Sequence, residues 1–396
     1  MMKKFWLLLL SAFIPFISFS IPQLSPYAKV SLITVSPGQE LYSSFGHSAI
    51  WIKDDSNHID KIYNYGTFDF DTPGFYSKFV RGKLLYMLSV SRSDYLIYGA
   101  EQEQRSVIEQ QLNMTSSQKQ KLYNFLEINY LPENRYYKYD FFYDNCSSRL
   151  RDAFKAALGD SLQFKNIAFK NQSFRQLIDP YLVNKQFQDL GMDLGLGAPA
   201  DRIATPSQYM FLPDHLMNAI GNATVLSDSG KTAFVARNNV LFKANQPKEE
   251  SMLVTPAMVF AILLLIGGFS TFVTWKKRPQ KFTMDGILFL ILGLFGLLLL
   301  FLWFGTDHKV TVHNWNIIWA FPTHIIVAIL LFKKKRSFST GYYFLFNGIV
   351  VLIFTACISI LPQEINMAIV PLLLLIIIRS FTLYYKITKR RNYYPI

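Results

Sequence analysis

Two residues in the first half of the chain have the types and surroundings of a nucleophile and its base. Cys146 follows Asp144 and Asn145, and residues 147–158 have helical spacing that ends at Gly159. Asp144 or Asn145 is a natural N-cap, so Cys146 falls in the first turn of a helix. Unbonded backbone N–H groups and the helix dipole stabilise an anion there, which lowers a thiol pKa. The same N–H groups can hold the oxyanion that forms when sulfur attacks a carbonyl. The chain has 2 cysteines, and the other, Cys357, lies in an apolar stretch far along the sequence. The two cannot meet in a disulfide. A lone thiol outside the cytoplasm must be buried or used.

Of the 6 histidines, His47, His58 and His215 precede the apolar C-terminal region. His58 sits among Asp55, Asn57 and Asp60 and reads as a solvated turn residue. His215 follows Pro213-Asp214 and reads as a capping or structural residue. His47 comes directly after Gly46, at the start of a β-rich run, and is the best base. A third group should orient its ring. The next β-rich run, Ile62-Tyr63-Asn64-Tyr65, offers Asn64, with the tyrosines on the opposite parity. The bland alternative is a buried cysteine beside a core histidine.

The elements that must carry these residues are legible in outline. Residues 29–35 read as a strand, and 48–52 with 61–65 as a hairpin. Further strands are expected at 84–90 and 95–98. Thr115 and Gln118 form a capping box for a helix with Leu122, Phe125, Leu126 and Tyr130 at helical spacing, ended by Pro132. Residues 222–250 read as a polar strand pair and linker.

Behind this domain lie five apolar stretches, 254–275, 284–305, 314–332, 342–361 and 367–385. Each has about the 20 residues that a bilayer-spanning helix needs. Residues 1–20 read as a signal peptide: Lys3 and Lys4, an apolar run, then Ser18-Phe19-Ser20. Charge orients the map. The net charge is +13, yet residues 21–253 hold 24 basic and 24 acidic side chains. The excess clusters after the first, third and fifth stretches, at 276–281, 333–336 and 386–391. The positive-inside rule puts those clusters in the cytoplasm and residues 21–253 outside. The basic charge is thus a topology signal, which excludes nucleic acid as the partner.

Three runs carry a family resemblance. They are Phe45-Gly46-His47-Ser48-Ala49-Ile50, then Tyr63-Asn64-Tyr65-Gly66-Thr67-Phe68-Asp69-Phe70, then Phe142-Tyr143-Asp144-Asn145-Cys146-Ser147-Ser148-Arg149. Together they resemble the bacterial Lnb N-terminal periplasmic domain family. Residues 209–214, Thr306-Asp307-His308 and Asn314-Trp315-Asn316 are similar to it too. A strand histidine ahead of an Asn-Cys helix start also resembles circularly permuted NlpC-type domains, including the lecithin:retinol acyltransferase group. The chain departs from that group in offering Asn64 or a tyrosine where the group has a second histidine.

The resemblance implies an α+β papain-like domain at 21–253, followed by a five-helix membrane domain at 254–396. It implies an inner-membrane lipoprotein N-acyltransferase with its catalytic domain in the periplasm. Cys146 would take an acyl chain from a membrane phospholipid as a thioester and pass it to the α-amine of a diacylated lipoprotein. The chemistry needs no metal or nucleotide cofactor. The alternatives are a periplasmic NlpC-type cysteine peptidase or amidase acting on peptidoglycan, and a non-enzymatic membrane factor. The peptidase would use the same residues but has no need of five spans. Arg149, one turn past the nucleophile, is a candidate for a phosphate headgroup, or else pairs with Asp144. His308 and Asn314, at the outer membrane face, are candidates for lipid contact, or else belong to a polar loop.

Overall fold

The computed structural model describes residues 21–165, 170–227, 230–245, 253–274, 282–333 and 337–388. The expected signal peptide, the basic runs at 276–281 and 334–336, and the tail from residue 389 lie outside these.

The first part is built on an antiparallel sheet. Its strands are β1 (Lys29–Val35), β2 (His47–Asp54), β3 (Ile59–Thr67), β4 (Leu85–Ser91), β5 (Val107–Leu112), β6 (Tyr136–Lys138) and a late strand, Val235–Phe242. That late strand lies at one edge beside β5, followed by β1, β2, β3, β4 and β6. Alternation sorts the side chains onto two faces. Val30, Leu32, Ile50, Ile52, Tyr63 and Leu88 form one core with residues of α3 (Ser116–Tyr130) and α4 (Cys146–Leu158). Ile33, Val35, Ala49 and Ile62 form the other, covered by Leu96 and Ala100 of α2 (Ser93–Gln102).

That last helix corrects an expectation, because residues 95–98 are not a strand. Leu96 and Ala100, four apart, face the sheet while Tyr95 and Tyr98 are exposed, which is a helical period. A short helix, α1 (Phe75–Val80), precedes β4. After α4 come α5 (Phe174–Ile178), α6 (Gln186–Gly195) and α7 (Pro213–Gly221). Arg175 is buried among them and bonded to Asp193 and Asp201. A small sheet pairs Leu162–Gln163, Thr224–Ser227 and Gly230–Ala233.

The second part is helical. Four helical spans among the described residues are long and apolar enough to cross a membrane. They are α8 (Pro256–Thr274), α9 (Thr283–Phe304), α11 (Phe338–Ala356) and a span ending in α12 (Val370–Thr388). Arg379 of α12 makes two hydrogen bonds to Asp285 of α9, at 2.6 and 2.7 Å, and a third to Thr271 of α8. A charge at membrane depth needs such pairing, and this one ties three helices together.

The stretch at 314–332, expected to be one membrane helix, is broken. It holds a 3-10 turn, Trp315–Ile318, and then α10, only His324–Phe332. Pro322 has no N–H to continue a helix through this point. The irregular backbone packs against glycines of α9. A Cβ on Gly296 would lie 1.8 Å from the Ala320 carbonyl, and one on Gly293 would lie 2.7 Å from the Ile325 amide. Buried Trp319 donates its indole N–H to Asn316 at 3.0 Å. Non-helical backbone at membrane depth is tolerated when it is covered by protein in this way.

The candidate active site

The site forms where β2 and β3 part. Their pairing ends at Ile50 and Tyr63. Continued, that register would set His47 opposite Gly66. Instead the first turn of α4 enters the gap. Gly66 makes room by its conformation, φ +86°, and a Cβ there would lie 3.6 Å from the Cys146 Cβ. Gly46, just before His47, is under a stricter demand. Its φ is +80°, and a Cβ would lie 2.8 Å from the Val35 carbonyl oxygen. Only glycine meets both conditions.

Asn145 caps α4. Its side-chain oxygen accepts from the Ser148 amide at 2.9 Å, and the Ser148 hydroxyl accepts from the Asn145 amide at 2.8 Å. Its side-chain N–H groups go to the carbonyls of Phe141 and Phe211, both at 2.8 Å. The cap thus fixes Cys146 at N1 and ties it to residues 209–214. Ser147 adds a hydrogen bond to the Ser48 hydroxyl at 3.1 Å.

Cys146 is buried and lies close enough to the His47 ring for the two to interact strongly. Nε2 of His47 lies 3.2 Å from Asn64 Oδ1, which leaves Nδ1 for the sulfur. Asn64 is steadied by Ser91, at 3.5 Å. Burial is the largest single influence and pushes the Cys146 thiol up, while the charge of His47 pulls it down. Polar contacts with His47, the Ser48 amide and Ser147 add to that effect, so the thiol lies below its ordinary value. Burial likewise opposes the His47 imidazolium, yet Cys146 and the bond to Asn64 hold its pKa above the usual range. Both shifts move the pair in the direction of thiolate beside imidazolium, the arrangement that activates a sulfur nucleophile.

Sequence reasoning brought Cys146, His47 and Asn64 forward, and the structure brings the three side chains together. It missed the walls. Tyr139 packs against Gly66 at the back of Cys146, and burial, with the neighbouring thiolate, raises its phenol well above its ordinary value. Tyr137 is also buried there. Its hydroxyl lies near the Gly66 amide but finds no partner of ordinary hydrogen-bond geometry. The tyrosine-rich run 136–143 was the only signal.

The other candidates lie elsewhere. Arg149 bonds Asp144 through two nitrogens, at 2.7 and 2.8 Å, and stacks on Tyr137 with 3.5 Å to the ring centroid. His308 is part-buried and donates through Nε2 to the Val80 carbonyl at 3.1 Å. Asn314 is buried, with its N–H groups on the carbonyls of Leu194 at 2.8 Å and Gly195 at 3.2 Å. It joins the two parts of the chain instead of facing a headgroup. His58 ends a turn with φ 53°, and His215 packs edge-on against Tyr209.

The junction is extensive. Asp307 accepts from Lys138 at 3.0 Å, and its amide donates to the Arg81 carbonyl at 2.9 Å. Gly197 donates to the Val310 carbonyl at 2.8 Å. A Cβ there would lie 1.9 Å from the Val312 carbonyl oxygen. The Cys146 domain is thus seated directly on the outer loop of the membrane helices.

Comparison with known proteins agrees with this division. The model of the Lnb N-terminal periplasmic domain matches residues 23–180, and that of the Lnb transmembrane domain matches residues 248–391. The chain belongs to the Lnb family. Its sheet-rich part is periplasmic, and its helices make it an inner-membrane protein. Lnb membership suggests a lipoprotein-modifying enzyme. No curated protein and no solved structure matches the chain significantly.

Proposed function

We propose that this Lnb-family protein is a lipoprotein N-acyltransferase working through a thioester on Cys146. The observation that carries the reading is the series Cys146, His47, Asn64, with the first two interacting and the last two hydrogen-bonded, at the start of a helix mounted on membrane helices. His47 Nδ1 takes the thiol proton. The thiolate attacks an ester carbonyl of a membrane phospholipid, and the oxyanion meets the free N–H groups of the α4 first turn. The C–O bond breaks, His47 returns the proton to the departing lysophospholipid oxygen, and the acyl group stays on sulfur. The α-amine of a diacylglyceryl-cysteine then attacks the thioester and loses a proton to His47, the C–S bond breaks to return the Cys146 thiolate, and the product leaves as an amide. Both substrates are confined to the membrane, so a catalytic domain seated on the bilayer meets them in two dimensions.

The same reading takes the first domain, 21–253, as a permuted papain-like fold, with the cysteine helix packed on a sheet that supplies histidine and asparagine. It gives the membrane domain, 254–396, five crossings. The broken stretch runs antiparallel to α9, from Ala320 beside Gly296 to Phe332 beside Gly286. It can therefore cross beside that helix and return the chain to the side of the basic clusters, with the C-terminus in the cytoplasm. His308 and Arg149 remain the candidates for substrate headgroups.

The test is to incubate the purified protein with phospholipid alone. One acyl mass on Cys146, removed by neutral hydroxylamine, is expected. Mass spectrometry of lipoprotein N-termini should then show a third acyl chain only when the protein is present. Cleavage of muropeptides without any acyl adduct would replace this reading with the peptidase.

A further inference from the structure

An exposed aromatic patch lies beside the site and is not used by the chemistry above. Phe70, Tyr76 and Phe79 are 69, 78 and 49% exposed, with Val80 beside them. They surround buried Phe75: ring centroids lie 4.9 Å from it for Phe70, 5.3 Å for Tyr76 and 6.2 Å for Phe79. A soluble surface rarely clusters such side chains without a partner.

The level of the patch identifies the partner. α9 ends at Phe304, and its last residues, Trp303 and Phe304, stack at 5.2 Å as an aromatic belt residue pair does where a helix leaves the bilayer. Three residues later the Asp307 amide binds the Arg81 carbonyl, and His308 binds the Val80 carbonyl. These bonds hold α1 at the outer interface of the membrane. Lys78, Arg81 and Lys83 are exposed around it. Asp307 offsets part of this charge and Asp69 and Asp71 lie in the turn before it. Apolar rings ringed by cations fit the outer surface of a bilayer, with rings among acyl chains and cations at phosphates.

The patch is also continuous with the nucleophile. Phe68 packs on Phe75 at 5.7 Å and on Tyr86 at 5.3 Å, Tyr86 stacks on Tyr139 at 4.3 Å, and Tyr139 borders Gly66 and Cys146. We propose that the 68–83 segment inserts into the outer leaflet and is the surface over which the donor phospholipid's acyl ester is drawn to Cys146. This rests on the acyltransferase reading for the role of the patch, though not for its insertion.

The full-length protein in phosphatidylethanolamine–phosphatidylglycerol nanodiscs tests both halves. Benzoyl-phenylalanine placed at Tyr76 or Phe79 should crosslink to lipid on irradiation, and the same probe at Tyr95, on α2, should not. In the doubly substituted Phe70→Ser, Phe79→Ser protein, acylation of Cys146 is measured from bilayer lipid and from a water-soluble short-chain ester. The ratio of the two rates should fall at least about tenfold, since the lost burial of even one of the two rings is worth about that much. Absence of lipid crosslinks at 76 and 79 overturns insertion. Crosslinks with an unchanged ratio overturn the loading role. If wild-type Cys146 takes an acyl group from neither ester, the acyltransferase reading and the loading role both fail, and the crosslinks alone decide insertion.

Discussion

His47 Nε2 lies 3.2 Å from Asn64 Oδ1. An amide oxygen only accepts, so Nε2 carries a proton in either charge state and Nδ1 is left to exchange the other with Cys146. Asn64 therefore sets the tautomer as well as the ring's direction. His47→Ala should slow thioester formation ~10²–10⁴-fold, the usual worth of general-base assistance. Asn64→Ala should cost less, with a larger loss in kcat than in KM. Stopped-flow acylation of Cys146 measures both, and an Asn64→Ala loss equal to that of His47→Ala would give Asn64 more than an orienting role.

The pH dependence follows from the two opposed shifts. Cys146 lies below its ordinary pKa and His47 above its own, each because of the other. The two protons come off as a coupled pair, so the ion pair occupies a window between two apparent values. Alkylation of Cys146 by iodoacetamide should reach its plateau at a lower pH than for a free thiol. In His47→Ala the largest lowering cause is gone and burial remains, so the profile should move to higher pH. An identical profile in wild type and His47→Ala would remove the ion pair from the mechanism.

Gly46 gives a structural prediction. Alanine there meets both the positive φ and a backbone oxygen at 2.8 Å, which cannot swing away like a side chain. Gly46→Ala should cost on the order of 1–3 kcal/mol of stability. It should also displace His47. Thermal unfolding in detergent reads the first effect and acylation the second. Gly191→Ala, where an added Cβ meets nothing within 4 Å, is the control.

What the sequence revealed was local. The capping box at Thr115 has both partners three residues apart, and Asp144-Asn145 ahead of Cys146 offered an N-cap, so the start of α4 and the position of Cys146 in its first turn were readable; that the cap is Asn145, closed by Ser148, was not. The hairpin that holds His47 and Asn64 was readable by alternation. The failures share a different cause. Residues 95–98 have a period that suits strand or helix until the sheet face they cover is known. β5 was not read because its Glu109 and Gln110 are polar. Glu109 is nonetheless buried, accepting from Ser31 at 2.7 Å and Asn239 at 2.8 Å across neighbouring strands. Asn314 looked like a surface residue because its partners, the carbonyls of Leu194 and Gly195, lie some 120 positions away.

The junction supplies the last prediction. Asp179 lies in the outer domain next to a loop of the membrane domain, in a cleft lined by Arg175, Asp189, Asp193, Glu364 and Asn366. Burial, then the charges of Asp193, Asp189 and Glu364, push its carboxyl up from 3.8 to about 7, with Arg175 opposing. Burial and Asp193 push Asp189 up to about 6, against Arg175 and the Asn366 hydrogen bond. A carboxyl raised in the folded state favours folding while protonated. That contribution is complete below the unfolded value near 3.8 and is lost as pH rises through about 6 and about 7. Asp179 is only half-buried, so solvent reduces the size of the effect. The full-length protein should be more stable at pH 5 than at pH 8, and the melting temperature should fall between them. Asp179→Asn removes the ionisation. It should lie closest to wild type at pH 5, exceed it by more at pH 8 and flatten the slope, as followed by thermal unfolding across that range. An unaltered slope in Asp179→Asn would move the pH sensitivity to other groups.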